Sequence, residues 1–150
     1  MGLQIIEVRQ DGGACLRFKT KVIQGWEGQI EGELLVTRMK ISFFGDIDQK
    51  TGDVVGADLD IVGENIAYKI FVFSEGRGST VGSNVLYGLA TYGFAPKLIV
   101  TERTELITIS GAIYGEIPMV YSLPPEAFDF LKTGAFARAY VIDEFAYLEV

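Results

Sequence analysis

Phe71-Val-Phe-Ser-Glu-Gly-Arg-Gly-Ser-Thr-Val-Gly-Ser83 is the stretch on which the reading of this chain turns. An apolar run over 69–73 reads as a short strand and stops at a Gly-Arg-Gly-Ser turn. A helical pattern follows over 80–92, with Val81, Val85, Leu86, Leu89 and Ala90 on one face and Gly93 and Pro96 ending it. A strand, a glycine turn and a helix in that order aim backbone N–H groups and the positive end of a helix at one spot. That spot also holds the Ser79 hydroxyl and the Arg77 guanidinium. Such a place suits an anionic substrate, or a serine that must give up its proton.

Working outward, the first third reads as β. Segments 3–9 and 14–20 alternate and are joined by Gln10-Asp11-Gly12-Gly13, a hairpin signal. Residues 32–37 and 39–44 read as further strands, and 45–56 as a turn-rich loop. Asp46, Asp48 and Asp53 in that loop lack the spacing of a calcium loop and read as turn residues. Beyond Tyr68 strands and helices alternate: strand 97–101, helix 105–114 despite its Ile107-Thr-Ile109, strand 118–122 and a short helix over 124–132. Segments 137–142 and 145–150 close the chain as a hairpin around Asp143-Glu144. The expectation is a mixed α/β fold, a β-rich N-terminal half followed by βαβ units, in a single domain over 1–150.

Composition narrows the chemistry. The 150 residues are 49% hydrophobic and 22% charged, enough for a sizeable core. A net charge of −7 without a basic stripe argues against nucleic acid as a partner. The N-terminus has no leader pattern and no apolar run reaches ~20 residues, so a cytoplasmic chain without a membrane span is expected. There is no histidine, which removes the usual near-neutral acid and base. The single Cys15 can hold neither zinc nor an iron–sulfur cluster by itself, so no metal and no cofactor are expected in this chain.

Gly76-Arg-Gly-Ser79 is not a phosphate loop, since the Gly-Lys-Ser/Thr ending is absent. Nor is it a nucleophile elbow, for which Gly-x-Ser-x-Gly and a histidine are needed. Taken alone, the glycines can serve turn geometry and the serine a helix cap. Ser79 could act as a base only if N–H donors and Arg77 stabilised its alkoxide and a Lewis acid activated the substrate. That metal would have to come from another chain.

The ordered motifs resemble the swivelling-domain component of the aconitase X family, from about Glu31 to Tyr121. They comprise Ile41-Ser-Phe-Phe-Gly-Asp-Ile-Asp-Gln-Lys-Thr-Gly52, Gly63, the run from Lys69 to Leu86, Ala95-Pro-Lys-Leu-Ile-Val100, Ile109-Ser-Gly-Ala-Ile113 and Ile117-Pro-Met-Val120. The family's pattern has Gly, Pro and often His where this chain has Asp46, Gln49 and Leu59. Residues 1–25 have no aligned counterpart and are set aside as a β extension of open role. The resemblance implies a swivelling β/β/α domain like the mobile domain of aconitase, working as the small subunit of a hydro-lyase. It implies a heterodimer with a large subunit that carries a [4Fe-4S] cluster on its own cysteines. Ser79 would be the catalytic proton acceptor, with Arg77, Gly78, Thr80 and Ser83 binding the substrate. In archaeal members that substrate is mevalonate 5-phosphate, dehydrated to trans-anhydromevalonate 5-phosphate on the way to isoprenoids. Bacterial relatives dehydrate cis-3-hydroxyproline, and a non-catalytic anion-binding module of the same fold is the alternative from another class. Trp26 and Phe43-Phe44 read as core or as partner interface; Tyr87, Tyr92 and Tyr114 read as core or rim. Lys97 and Arg103 read most simply as surface charges; Glu75 beside the turn either tunes Arg77 or, the preferred reading, is a solvated strand-end residue.

Overall fold

A computed structural model of the chain describes residues 3–8, 10, 12–78 and 81–150. The described residues form strands β1 (Leu3–Val8), β2 (Ala14–Gln24), β3 (Gln29–Val36), β4 (Ile70–Phe73), β5 (Leu98–Thr101), β6 (Met119–Tyr121), β7 (Phe136–Ile142) and β8 (Phe145–Glu149). They join in one sheet in the order β1-β2-β6-β5-β4-β3-β7-β8, and a further β2–β8 pairing closes β2 to β8 into a ring. β2 makes the closure possible by its length. Arg17 to Lys21 pair with Glu149 to Phe145, and Lys21 to Gln24 then pair with Tyr121 to Met119. One staggered strand therefore serves two neighbours, as a closed sheet demands.

β3, β4, β5 and β6 run parallel, and the crossovers between β4, β5 and β6 carry helices α2 (Val81–Tyr92) and α3 (Leu106–Tyr114), numbered after the short α1 (Phe43–Asp46). Every residue of β4 and β5 is buried, which fits parallel strands covered on both faces. Their side chains divide by alternation. Ile70, Val72, Leu98 and Val100 join Phe18, Leu34, Val120, Ala139 and Leu148 inside the ring. Phe71, Phe73 and Ile99 face outward with Leu35 and Met119 against Val85, Leu86 and Leu89 of α2 and Ala112 of α3. Gly111 permits the close α2–α3 contact: a Cβ there would lie 2.6 Å from Leu86 Cδ1. Fully burying each such aliphatic or aromatic side chain contributes about 1.5–3 kcal/mol.

The mixed α/β reading and the β-then-βαβ order agree with this architecture. Four local expectations change. Residues 39–44 are not a strand: Ile41 makes a single bridge to Gly76, and α1 begins at Phe43. The helix wins there because the Asp46 N–H donates to the Ser42 carbonyl (2.8 Å) while the Asp46 carboxylate accepts from the Ser42 N–H (2.8 Å). Residues 124–132 hold a 3₁₀ turn, Pro125–Asp129, rather than an α-helix. On α2 the exposed side is taken by Val81, and Gly82 is buried in its stead. The sequence pair Phe43-Phe44 splits, Phe43 edge-on to Phe73 in the core and Phe44 exposed. In the loop over 45–56 the acids do serve turns: Asp48 Oδ1 accepts from the Lys50 N–H and Asp53 Oδ1 from Asn65 Nδ2.

Candidate active site

The site forms where the parallel strands end, since three exits meet there. After Phe73 the chain turns through Ser74, Glu75, Gly76, Arg77 and Gly78 towards α2. The exit from β3 flanks this turn on one side: the Ser74 N–H donates to Met39 O (3.4 Å), the Ile41 N–H to Glu75 O (3.1 Å), and the Arg77 N–H to Ile41 O (2.8 Å). The exit from β5 flanks it on the other, the Glu102 and Arg103 N–H groups both donating to Ser74 O (3.1 and 2.9 Å). Crevices at the carboxyl ends of parallel strands are the usual ligand sites of such sheets.

Two glycines of the turn are required by sterics. A Cβ on Gly76 would overlap Thr108 Oγ1 and Glu105 Oε1. Glu105 is the N-cap of α3; its carboxylate accepts from the Ile107 and Thr108 N–H groups (2.7 and 2.8 Å) and from the Thr108 hydroxyl. Gly78 has φ +113°, a conformation L side chains rarely adopt, and a Cβ there would lie 2.7 Å from Ser42 Oγ. The Ser42 hydroxyl thus stands beside the Arg77-Gly78 peptide.

A cleft of about 520 Å³ opens at this end, lined by Arg38, Lys40, Arg77 and Arg103 together with Asp46, Asp58 and Glu102. Most of its charges are paired. Glu75 lies between Lys40 Nζ (3.1 Å) and Arg103 Nε (3.4 Å), Arg103 Nη1 donates to Glu102 (2.6 Å), and Arg38 pairs with Asp129 (3.4 Å). The Lys40 hydrogen bond, with help from Arg103, holds the Glu75 carboxyl below its usual range. Among the described residues the Arg77 guanidinium has no hydrogen bond or ion pair, and it is exposed. It is therefore ready to meet an incoming carboxylate or phosphate. A second hollow of about 560 Å³ adjoins and shares Glu102 and Arg103.

Of the residues singled out from sequence, the structure puts Arg77 and Gly78 together at the cleft. Ser79 and Thr80 lie outside the described residues. Ser83 is half-buried on the first turn of α2, and its Cα packs where α2 meets Gly111 of α3. Arg103 is an exposed charge, as read, but pairs with Glu75, whose side chain is only 20% exposed and is therefore not a solvated strand-end residue. Lys97 instead caps the Glu31 carbonyl (2.6 Å). Trp26 packs half-buried at the edge of the ring core, and Tyr87, Tyr92 and Tyr114 are exposed rim residues. Sequence reasoning missed Lys40, Ser42, Glu105 and Thr108. Glu105 alone had a local signal, an acid just before a helical run. Leu59, where the family's pattern often has histidine, is buried in the helix-side core and its edge lines the cleft.

Among the described residues no group of three His, Cys, Asp or Glu could hold a metal ion. No described helix is long and apolar enough to cross a membrane.

Comparison with known proteins agrees with this geometry. The family model described as aconitase X swivel domain matches residues 18–145. The phosphomevalonate dehydratase small subunit of Archaeoglobus fulgidus is 46% identical over 119 residues, 79% of this chain and 88% of that protein. The protein of the same name from Thermococcus kodakarensis is 44% identical over 123 residues, covering 82% and 89%. The crystal structure of Thermococcus kodakaraensis aconitase X in its holo-form superposes with a TM-score of 0.77 at 42% identity, over 87% of this chain and 97% of that one. The closed ring, its two crossover helices and the Gly-Arg-Gly turn at the carboxyl ends of its strands are accordingly those of an aconitase X swivel domain, the family to which this chain belongs.

Proposed function

We propose that this chain is the small subunit of a dehydratase that removes water from mevalonate 5-phosphate, and that it works as one swivelling unit in the cytoplasm, closing over a larger subunit. One observation carries the reading: the exposed Arg77, unpaired among the described residues, stands at a steric-glycine turn in a chain 46% identical to a phosphomevalonate dehydratase small subunit. Ser79 is the proton acceptor. It takes a proton from the carbon next to the substrate carboxylate, that C–H electron pair becomes the new double bond, and the hydroxyl on the next carbon leaves. Arg77 and the Gly78 N–H hold an anionic group of the substrate, with Thr80 and Ser83 assisting.

The single half-buried Cys15 on β2 does not fit a cluster site, so a [4Fe-4S] cluster belongs on the larger subunit. Its contribution there is Lewis-acid polarisation of the leaving hydroxyl. The surface that meets the larger subunit includes the place where three helix starts converge. Gly82 sits under Phe43 and Ile107, and beside them Phe44, Val81 and Leu106 are exposed by 62%, 40% and 73%. Exposed apolar residues grouped around a catalytic turn suit a surface that is covered in use.

The test is anaerobic co-expression with an aconitase-type large subunit and a dehydration assay on mevalonate 5-phosphate and on cis-3-hydroxyproline. Water loss from the first is expected only from the complex. Ser79→Ala should abolish turnover without releasing the subunit. Turnover retained by Ser79→Ala removes Ser79 as the base, and turnover of the imino acid alone reassigns the substrate.

A further inference from the structure

The turn bearing Arg77 is held by backbone hydrogen bonds from two sides, but one side chain in it reaches both flanks. Glu75 is only 20% exposed, and its carboxylate meets Lys40 from the β3 exit at 3.1 Å and Arg103 from the β5 exit at 3.4 Å. Those are the same two segments whose backbones bracket the turn: the Ile41 N–H donates to Glu75 O, and the Arg103 N–H to Ser74 O. Side chain and backbone therefore tie the same three exits together.

Charge makes the second half of the argument. Without the Glu75 carboxylate, Lys40 and Arg103 would stand beside Arg77 in one cleft, with Asp46, Asp58 and Glu102 as the remaining acids lining it. Glu102 is already engaged by Arg103, and the Asp46 carboxylate by the Ser42 N–H. A released Lys40, with Arg103 held by Glu102 alone, would push Arg77 away and compete with it for the substrate anion.

We propose that Glu75 is a positioning residue: clamped between Lys40 and Arg103, it sets the placement of the Arg77-Gly78 turn and keeps Arg77 the cation that meets the substrate. Its catalytic consequence rests on the dehydratase reading above; its structural consequence does not. Because the partners hold the Glu75 carboxyl below its ordinary range, the clamp is fully formed at neutral and mildly acidic pH. It is lost only as pH falls through that lowered value. The groups facing Glu75 at that point are Lys40, Arg103, the Glu102 paired with Arg103, and Arg77 beside it.

The experiment has two arms. In the complex with the large subunit, Glu75→Gln is expected to lower kcat/KM roughly 10- to 100-fold, the cost of an ångström-scale misplacement of the cation that meets the substrate. Glu75→Asp, which keeps the charge, should recover part of the loss. A kcat/KM within twofold of the parent overturns the proposal. In the isolated full-length chain, hydrogen exchange at the Arg77 and Ile41 amides should be at least tenfold faster in Glu75→Gln, with β4 and β5 unchanged. The parent should show the same acceleration only below the ordinary glutamate range, about pH 4, and the variant should show no such step. Unchanged exchange in Glu75→Gln overturns the clamp. An inactive parent complex with accelerated exchange in the variant instead overturns the dehydratase reading and leaves the clamp standing.

Discussion

Replacing Gly76 with alanine tests how tightly the turn is built into the fold. Gly76 lies outside the left-handed region, so alanine meets no backbone penalty there and the effect is steric alone. The added methyl would overlap Glu105 Oε1 and Thr108 Oγ1. Neither atom is the far end of a loose side chain, because Glu105 caps α3 through Ile107 and Thr108 and Thr108 is buried. Making room means displacing the capping carboxylate, at about 0.5–2 kcal/mol, and leaving the Thr108 hydroxyl buried without its acceptor, at about 1–3 kcal/mol. The expected destabilisation is ~2–4 kcal/mol, or a Tm lowered by roughly 4–16 °C for a chain of this size. Urea and thermal unfolding of the isolated chain measure it. Combining Gly76→Ala with Glu105→Ala should cost less than the two changes separately, by ~0.5–3 kcal/mol, because the second change removes one of the two clashing groups and the acceptor that fixes the Thr108 hydroxyl. A single variant within 0.5 kcal/mol of the parent, or strict additivity of the pair, would refute the argument.

Arg77→Gln should raise KM for a phosphorylated substrate at least tenfold in the complex, since it removes the exposed guanidinium and leaves the packing untouched; steady-state kinetics check this. Leu106→Ser and Phe44→Ser should leave the Tm of the isolated chain within ~2 °C while weakening association with the large subunit, read by titration calorimetry. Ile70→Ala, inside the ring, should cost about 2–5 kcal/mol in urea unfolding. Thr101 is fully buried and its hydroxyl has no partner among the described residues. Thr101→Val should therefore be neutral or stabilising by ~1 kcal/mol, and a loss of stability would show that the hydroxyl is paired after all.

Much of the fold was legible because its signals are local. β4 and β5 are short unbroken apolar runs, which parallel strands covered on both faces must be. The final hairpin announced itself at Asp143-Glu144, and Asp143 does take a left-handed conformation. The segment over 39–44 misled for a physical reason. Its apolar residues fit a strand, yet the Asp46–Ser42 hydrogen bonds close a helical turn that periodicity cannot register. Val81 fails as a core residue because Gly82 takes the buried position against Ile107 and Phe43, turning Val81 outward.

The sequence by itself determined the strand–turn–helix unit and the Arg77-Gly78-Ser79 motif in it, and it motivated the proposal that a second chain supplies a metal. Each of these is a statement about neighbouring residues or about residue types that are missing. The tertiary structure alone decided why the turn is glycine at 76 and 78, which charges surround it, and which of them remain available. Glu75 meets Lys40 and Arg103 only because β3, β4 and β5 lie side by side and in parallel, so that their carboxyl ends open at one place. Ion pairs formed across a sheet leave no trace in local spacing, and so the one unpaired cation of the cleft among the described residues, Arg77, could be recognised as such only in the folded chain.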